Sequence, residues 1–151
     1  MTPEDVLKHD GRVLTRSQRE FYFENGFMAA EDLIPREWTD LVRAASNERI
    51  EASRQETESG DEFDLAPEHC AEKAHVRRIK RPVDHHPVFH RFAVESPLAD
   101  IAADLVGPDV KFHSCKINYK HPGGGEVVKW HQDICFWPHT NYSPVTLGFY
   151  L

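Results

Sequence analysis

Residues 127–137 read VVKWHQDICFW, and the spacing inside this stretch decides how the rest of the chain is read. Val127, Val128, Trp130, Ile134 and Phe136 make it rich in strand-forming residues, so it is expected to form a β-strand. Side chains on a strand alternate between faces, and residues two apart point the same way. His131 and Asp133 are therefore expected on one face, with Cα atoms about 7 Å apart by the strand rise. Val127, Lys129 and Cys135 share that face, while Val128, Trp130, Gln132 and Ile134 form a packing face. One imidazole and one carboxylate can then reach a common point.

Working outward, the neighbouring segments carry the same period of two. VKFHSCKINYK (residues 110–120) alternates, HPGGGE (121–126) reads as a flexible hairpin connection, and SPVTLGFYL (143–151) begins another strand. The three glycines lack the GxGxxG spacing of a dinucleotide site and the following Lys-Ser/Thr of a P-loop. A shorter strand is expected at Val76–Lys80. The first half is helical instead. Thr15 and Gln18 form a capping-box pattern, and Gly26 closes the helix they open. Pro35 starts a second helix, with Trp38, Leu41, Val42 and Ala45 at helical spacing. HPVFHRFAVE is a short helix. The next runs from Ser96 as N-cap and Pro97 at the first position to Gly107. Residues 51–68 are acidic and poor in apolar side chains, and are expected to form a mobile loop or an excursion after the helix. Helices followed by strands imply an α+β or mainly β architecture.

Composition narrows the function classes. The net charge is −7, and the stretch 48–64 holds seven acids against two bases, which accounts for −5 of it. Nucleic acid, which calls for a basic face, is not an expected partner. No apolar run approaches the length of a membrane helix, and MTPEDVLKHD has no apolar signal core. Cys70, Cys115 and Cys135 are odd in number and form no CxxC, so reduced thiols and a cytoplasmic location are expected. The expected partner is a small-molecule substrate. Neither its identity nor an oligomeric state is written in the sequence.

His131 and Asp133 offer one nitrogen and one oxygen donor. With a distant second histidine they complete the two-His-one-carboxylate set of non-haem Fe(II) oxygenases, which leaves positions open for a cosubstrate and O₂. The same pair fits a zinc site that activates water for hydrolysis. It also fits a pair with no metal role, in a non-catalytic binding or interaction domain.

Four stretches in order resemble the N-terminal part of the phytanoyl-CoA dioxygenase family: FYFENGFM followed by LIP, LVGPDVKFHSCKINYKHPG, WHQD and VTLGFYL. Its members are Fe(II)- and 2-oxoglutarate-dependent oxygenases, a class of oxidoreductase. The resemblance implies N-terminal helices packed on a double-stranded β-helix, or jelly roll. It implies Fe(II), 2-oxoglutarate and O₂ as cofactor and cosubstrates, and hydroxylation of an unactivated C–H bond. His131 and Asp133 match the first two iron ligands. Lys116 matches a position lining the 2-oxoglutarate pocket, and Arg78 or Lys80 matches a basic residue on the first strand that contacts the cosubstrate.

The family's third ligand, a later histidine, and the arginine that binds the far carboxylate have no match up to Leu151. His139 follows His131 too closely, and His121 precedes the motif. About four strands are expected where a jelly roll needs eight. The 151 residues are therefore expected to be a fragment of a single domain, with a helical region at about 1–73 and the first jelly-roll strands at about 74–151. Alone they are expected to bind iron weakly and to turn nothing over.

Overall fold

The computed structural model describes residues 1–122, 128–136 and 143–151. The glycine turn at Gly123–Gly125, both ends of the Val127–Trp137 stretch, and His139 lie outside them. Contacts group the chain into two compact units. One comprises Met1–Arg36, Ala93–Phe112 and Trp130–Leu151; the other comprises Glu37–Phe92 and His113–Lys129.

The first unit is built on capped helices. α1 (Pro3–Val6) starts at Thr2, and α2 (Arg16–Asn25) starts at Thr15. The Gln18 N–H donates to Thr15 Oγ1 at 3.3 Å, and Gln18 Oε1 accepts from the Thr15 N–H at 2.8 Å. This is the reciprocal box expected from the sequence. α2 ends at Gly26, whose φ of 78° no side chain opposes. α5 (Pro97–Val106) has Ser96 as N-cap, Pro97 in its first turn and Gly107 at its end. Leu14, Ile101 and Leu105 form the buried centre of this unit, with Val13, Tyr22, Val145 and Leu147 packed around them.

A buried polar junction ties this unit together. Asp104 on α5 is 3% exposed, and its carboxylate accepts from the backbone N–H groups of Arg12, Val13 and Leu14 at 2.8–2.9 Å. Arg19 on α2, also 3% exposed, donates to the backbone carbonyls of Asp104, His9 and Val6. Each buried charge is thus spread over three main-chain partners, which offsets its loss of water.

The second unit holds α3 (Arg36–Ala52, which Pro35 immediately precedes), most of α4 (Pro87–Glu95) and one antiparallel sheet in the order β1-β2-β3. The strands are β1 (Phe63–Leu65), β2 (Val76–Lys80) and β3 (Lys116–Asn118). Between β1 and β2 the register slips at Arg77: Asp64 faces Arg78 but Leu65 faces Val76, a bulge of one residue. The extra residue rephases β2, so Val76 and Ile79, three apart, both turn inward and are 1% and 0% exposed. They pack with Phe63 and Leu65, and Ile50 of α3 covers them. Arg49 on α3 grips Glu62 with two bonds of 2.7 and 2.9 Å, which pins the start of β1 to that helix.

The α+β class stands, and the helices lie where their caps and periods put them. The β content is smaller than expected. Of the stretch 110–120, Lys116–Asn118 forms the strand, and the Tyr119 N–H extends its pairing by donating to the Arg77 carbonyl. The described part of Val127–Trp137 joins no ladder: Asp133–Cys135 is a 3₁₀ turn, and the supposed packing face is open, with Val128 56% and Trp130 103% exposed. Val145–Leu151 alternates in burial but is assigned to no strand among the described residues. No jelly roll is formed among the described residues. The physical reason is common to all three stretches. Alternation in sequence records which side of an extended chain faces apolar neighbours, whereas a strand also needs a second chain to accept its hydrogen bonds. Conversely, the expected loop at 51–68 contains the end of α3, a 3₁₀ turn and β1. A three-residue strand is too short for its period to be seen.

The Asp104 junction gives a direct test. Asp104→Ala leaves three N–H groups, one buried and two partly buried, without an acceptor and is expected to lower stability by about 3–5 kcal/mol. It should appear as a fall in the urea midpoint at unchanged slope. A loss under about 1 kcal/mol would show that the junction is not a principal restraint.

Candidate metal and cosubstrate site

His131 and Asp133 do meet, although not on a strand. Gln132 between them is extended, at φ −104° and ψ 124°, and one extended residue is enough to turn its two neighbours to the same side. The backbone then folds into the 3₁₀ turn, closed by the Cys135 N–H donating to the Gln132 carbonyl and the Phe136 N–H to the Asp133 carbonyl. Alternation stops at Asp133, so it no longer assigns Cys135 to the face of the pair. The Phe136 ring stands edge-on to the His131 imidazole with centroids 5.5 Å apart, which limits ring rotation.

His131 Nε2 lies 3.1 Å from Asp133 Oδ1, with both side chains about one-third exposed. Two donor atoms held at right angles, each about 2.1 Å from a common divalent ion, are themselves about 3 Å apart. The gap now bridged by a proton therefore has the span of two adjacent ligand positions, and the donor set suits a borderline metal. Among the described residues, no third His, Cys, Asp or Glu joins the pair in a metal-sized group. The second carboxylate oxygen, Oδ2, accepts from Thr146 Oγ1 at 3.2 Å. Thr146 lies within VTLGFYL but carries no chemical signature of its own. The alternation of that stretch was the only signal for it.

The basic residues singled out in sequence lie on the sheet. Arg78 faces Asn118, and Lys80 faces Lys116, across the β2–β3 ladder. Directly opposed residues share a face, and residues two apart on a strand do too, so Arg78, Lys80 and Lys116 all lie on the sheet face opposite Ile79. The Arg78 Nε–H donates to Asn118 Oδ1 at 3.0 Å, and Lys80 Nζ donates to the Gly60 carbonyl. Burial pushes the neighbouring Cys115 thiol up, which keeps it protonated and a poor ligand. All three cysteines are free thiols. Among the described residues, no helix is long and apolar enough to cross a membrane.

Comparison with known proteins adds to this geometry. A probable alpha-ketoglutarate-dependent hypophosphite dioxygenase from Stutzerimonas stutzeri is 34% identical over 76 residues, which are 50% of this chain and 26% of that protein. An ectoine dioxygenase from Sphingopyxis alaskensis is 39% identical over 51 residues, 34% of this chain and 17% of that protein. The chain's matches thus span well under two thirds of either relative. No solved structure matches. The family model described as phytanoyl-CoA dioxygenase (PhyH) matches residues 22–151, a stretch that takes in α3, the sheet, the His131–Asp133 pair and Thr146, and the chain belongs to that family.

Proposed function

We propose that the protein is an Fe(II)- and 2-oxoglutarate-dependent dioxygenase that hydroxylates an unactivated C–H bond of a small organic molecule. The observation that carries this reading is the His131–Asp133 pair, set 3.1 Å apart, in a chain of this family. In this reading His131 Nε2 and Asp133 Oδ1 hold Fe(II). The bound metal, with 2-oxoglutarate and O₂, supplies the oxidising chemistry. The residues of this chain supply position. Phe136 fixes the imidazole plane, and the turn at Asp133–Cys135 fixes the carboxylate.

Lys116 and Arg78 are proposed to serve the cosubstrate. Two like charges directly opposed across a ladder are unfavourable by a few tenths of a kcal/mol or more. Lys80 and Lys116 stand in that relation, with Arg78 two residues from Lys80 on the same face. A dicarboxylate such as 2-oxoglutarate has the charge that matches these cations. The missing third histidine and the arginine for the far carboxylate lie, in this reading, outside these 151 residues, as do the remaining strands of a jelly roll. The helical region at about 1–73 and the strand region after it belong to that one domain. The substrate in this reading is a small molecule, in keeping with the hypophosphite and ectoine that the relatives' names give for those proteins, and the location is cytoplasmic.

The test uses the protein at its full natural length. Anaerobic addition of Fe(II) and 2-oxoglutarate is expected to give a visible charge-transfer band, and His131→Ala is expected to abolish it. A band that persists unchanged in the variant would remove His131 from the ligand set. The same titration checks the sheet. Replacing Lys116 or Arg78 by Met is expected to weaken 2-oxoglutarate binding by about tenfold, the loss of one charge-assisted bond. Affinity for Fe(II) alone should not change. Unaltered 2-oxoglutarate affinity in both variants would leave the cationic face without this role.

A further inference from the structure

We infer that Thr146 is a positioning residue for the Asp133 carboxylate. It holds Oδ2 so that Oδ1 alone is presented beside His131. The inference rests on the metal-site reading above and adds to it a residue that neither the sequence motif nor the family assignment singles out.

The argument begins with the neighbours of Thr146. In the order Val145-Thr146-Leu147, burial alternates. Val145 and Leu147 pack on the Leu14–Ile101–Leu105 core. With its two flanking side chains held in that core, Thr146 is turned the other way, where its hydroxyl meets Asp133 Oδ2 at 3.2 Å. The two oxygens of Asp133 are therefore differentiated. Oδ1 faces His131 Nε2 at 3.1 Å, and Oδ2 is tied to a neutral donor.

That difference has a chemical consequence. An aspartate can bind a divalent ion through one oxygen or both. A two-His-one-carboxylate site works through the positions it leaves open. If Oδ2 also bound, it would take one of them. A hydroxyl that occupies Oδ2 without competing for the metal keeps the carboxylate to one position and holds its plane toward His131. Partners of this kind typically contribute tenfold to a hundredfold in metal affinity. The 3.2 Å contact is long for an O–H···O bond, which puts the expected effect at the low end of that range.

Thr146→Val keeps the shape of the side chain and removes the donor, and Thr146→Ser keeps the donor. The probe is Co(II), titrated into the full-length protein and followed by calorimetry and by its d–d absorption. Thr146→Val is expected to weaken Co(II) binding by about tenfold. It should also lower the absorption intensity, as the freed Oδ2 adds a ligand to the metal. Thr146→Ser should restore both. If Thr146→Val does not fold, as judged by its thermal transition, Thr146→Ala against Thr146→Ser makes the same comparison. Wild-type affinity and spectrum in the variant lacking the hydroxyl would overturn the inference while leaving the metal site standing. A wild-type protein that binds Co(II) no better than Asp133→Ala would overturn the metal-site reading, and this inference with it.

Discussion

The first unit depends on one buried carboxylate. Asp104 collects three consecutive main-chain N–H groups, from Arg12, Val13 and Leu14, and thereby lays an irregular segment against α5. Without that acceptor the segment would bury donors with nothing to satisfy them, at about 1–3 kcal/mol each. With it, Leu14 is held against Ile101 and Leu105, and a small apolar surface exists for later parts of the chain to use. Arg19 reinforces the arrangement from α2 by taking three carbonyls of the same neighbourhood, one of them that of Asp104 itself. Val145 and Leu147 then pack on that surface, and their packing aims Thr146 at Asp133. The chain of cause runs from a buried polar junction, through core packing, to the orientation of a candidate metal ligand more than 25 residues further along the sequence.

Period-two patterning and strand pairing come apart in this protein. In β2 the bulge at Arg77 puts Val76 and Ile79, three apart, on the apolar side of a paired sheet. At Val145–Leu147 alternation holds against a helical core with no ladder partner among the described residues. Burial of every second side chain is all that the period of two encodes. What separates them is whether another segment lies about 4.8 Å away to take the hydrogen bonds, and that information is not local.

The helices were legible because their signals are local. Thr15 with Gln18, Gly26, and Ser96 with Pro97 each act within four residues of themselves, and each does so in the structure. The β-strand at Val76–Lys80 was legible for the same reason. β1 was not, since three residues inside an acidic stretch carry too little pattern, and its partner lies more than ten residues away. The His131–Asp133 pairing was readable for a narrower reason than a strand. It needs only one extended residue between them, and Gln132 provides it. Asp104, Arg19 and Thr146 were invisible because their roles depend on partners distant in sequence, up to 92 residues away for the Arg12–Asp104 bond. A buried charge in an amphipathic helix reads, from sequence, as one more polar residue on its outer face.

The two faces of the sheet differ in chemistry, apolar within and charged without. Its inner face gives every reason for pairing: Ile79 alone contributes about 1.5–3 kcal/mol by leaving water. The outer face sets Lys80 against Lys116, with Arg78 beside them and Asp64 of β1 opposite Arg78. Asn118 accepts from Arg78 and the Gly60 carbonyl accepts from Lys80. A face richer in cations than in acids raises the local concentration of anions. On the proposed reading this is the use of the face. The small cost of opposing two lysines is borne by the buried side, and what it provides is attraction for a dianionic cosubstrate. Such a face cannot be improved for stability by replacing Lys116 with an acid without also losing that attraction, which is the trade expected wherever charge is kept for a ligand rather than for the fold.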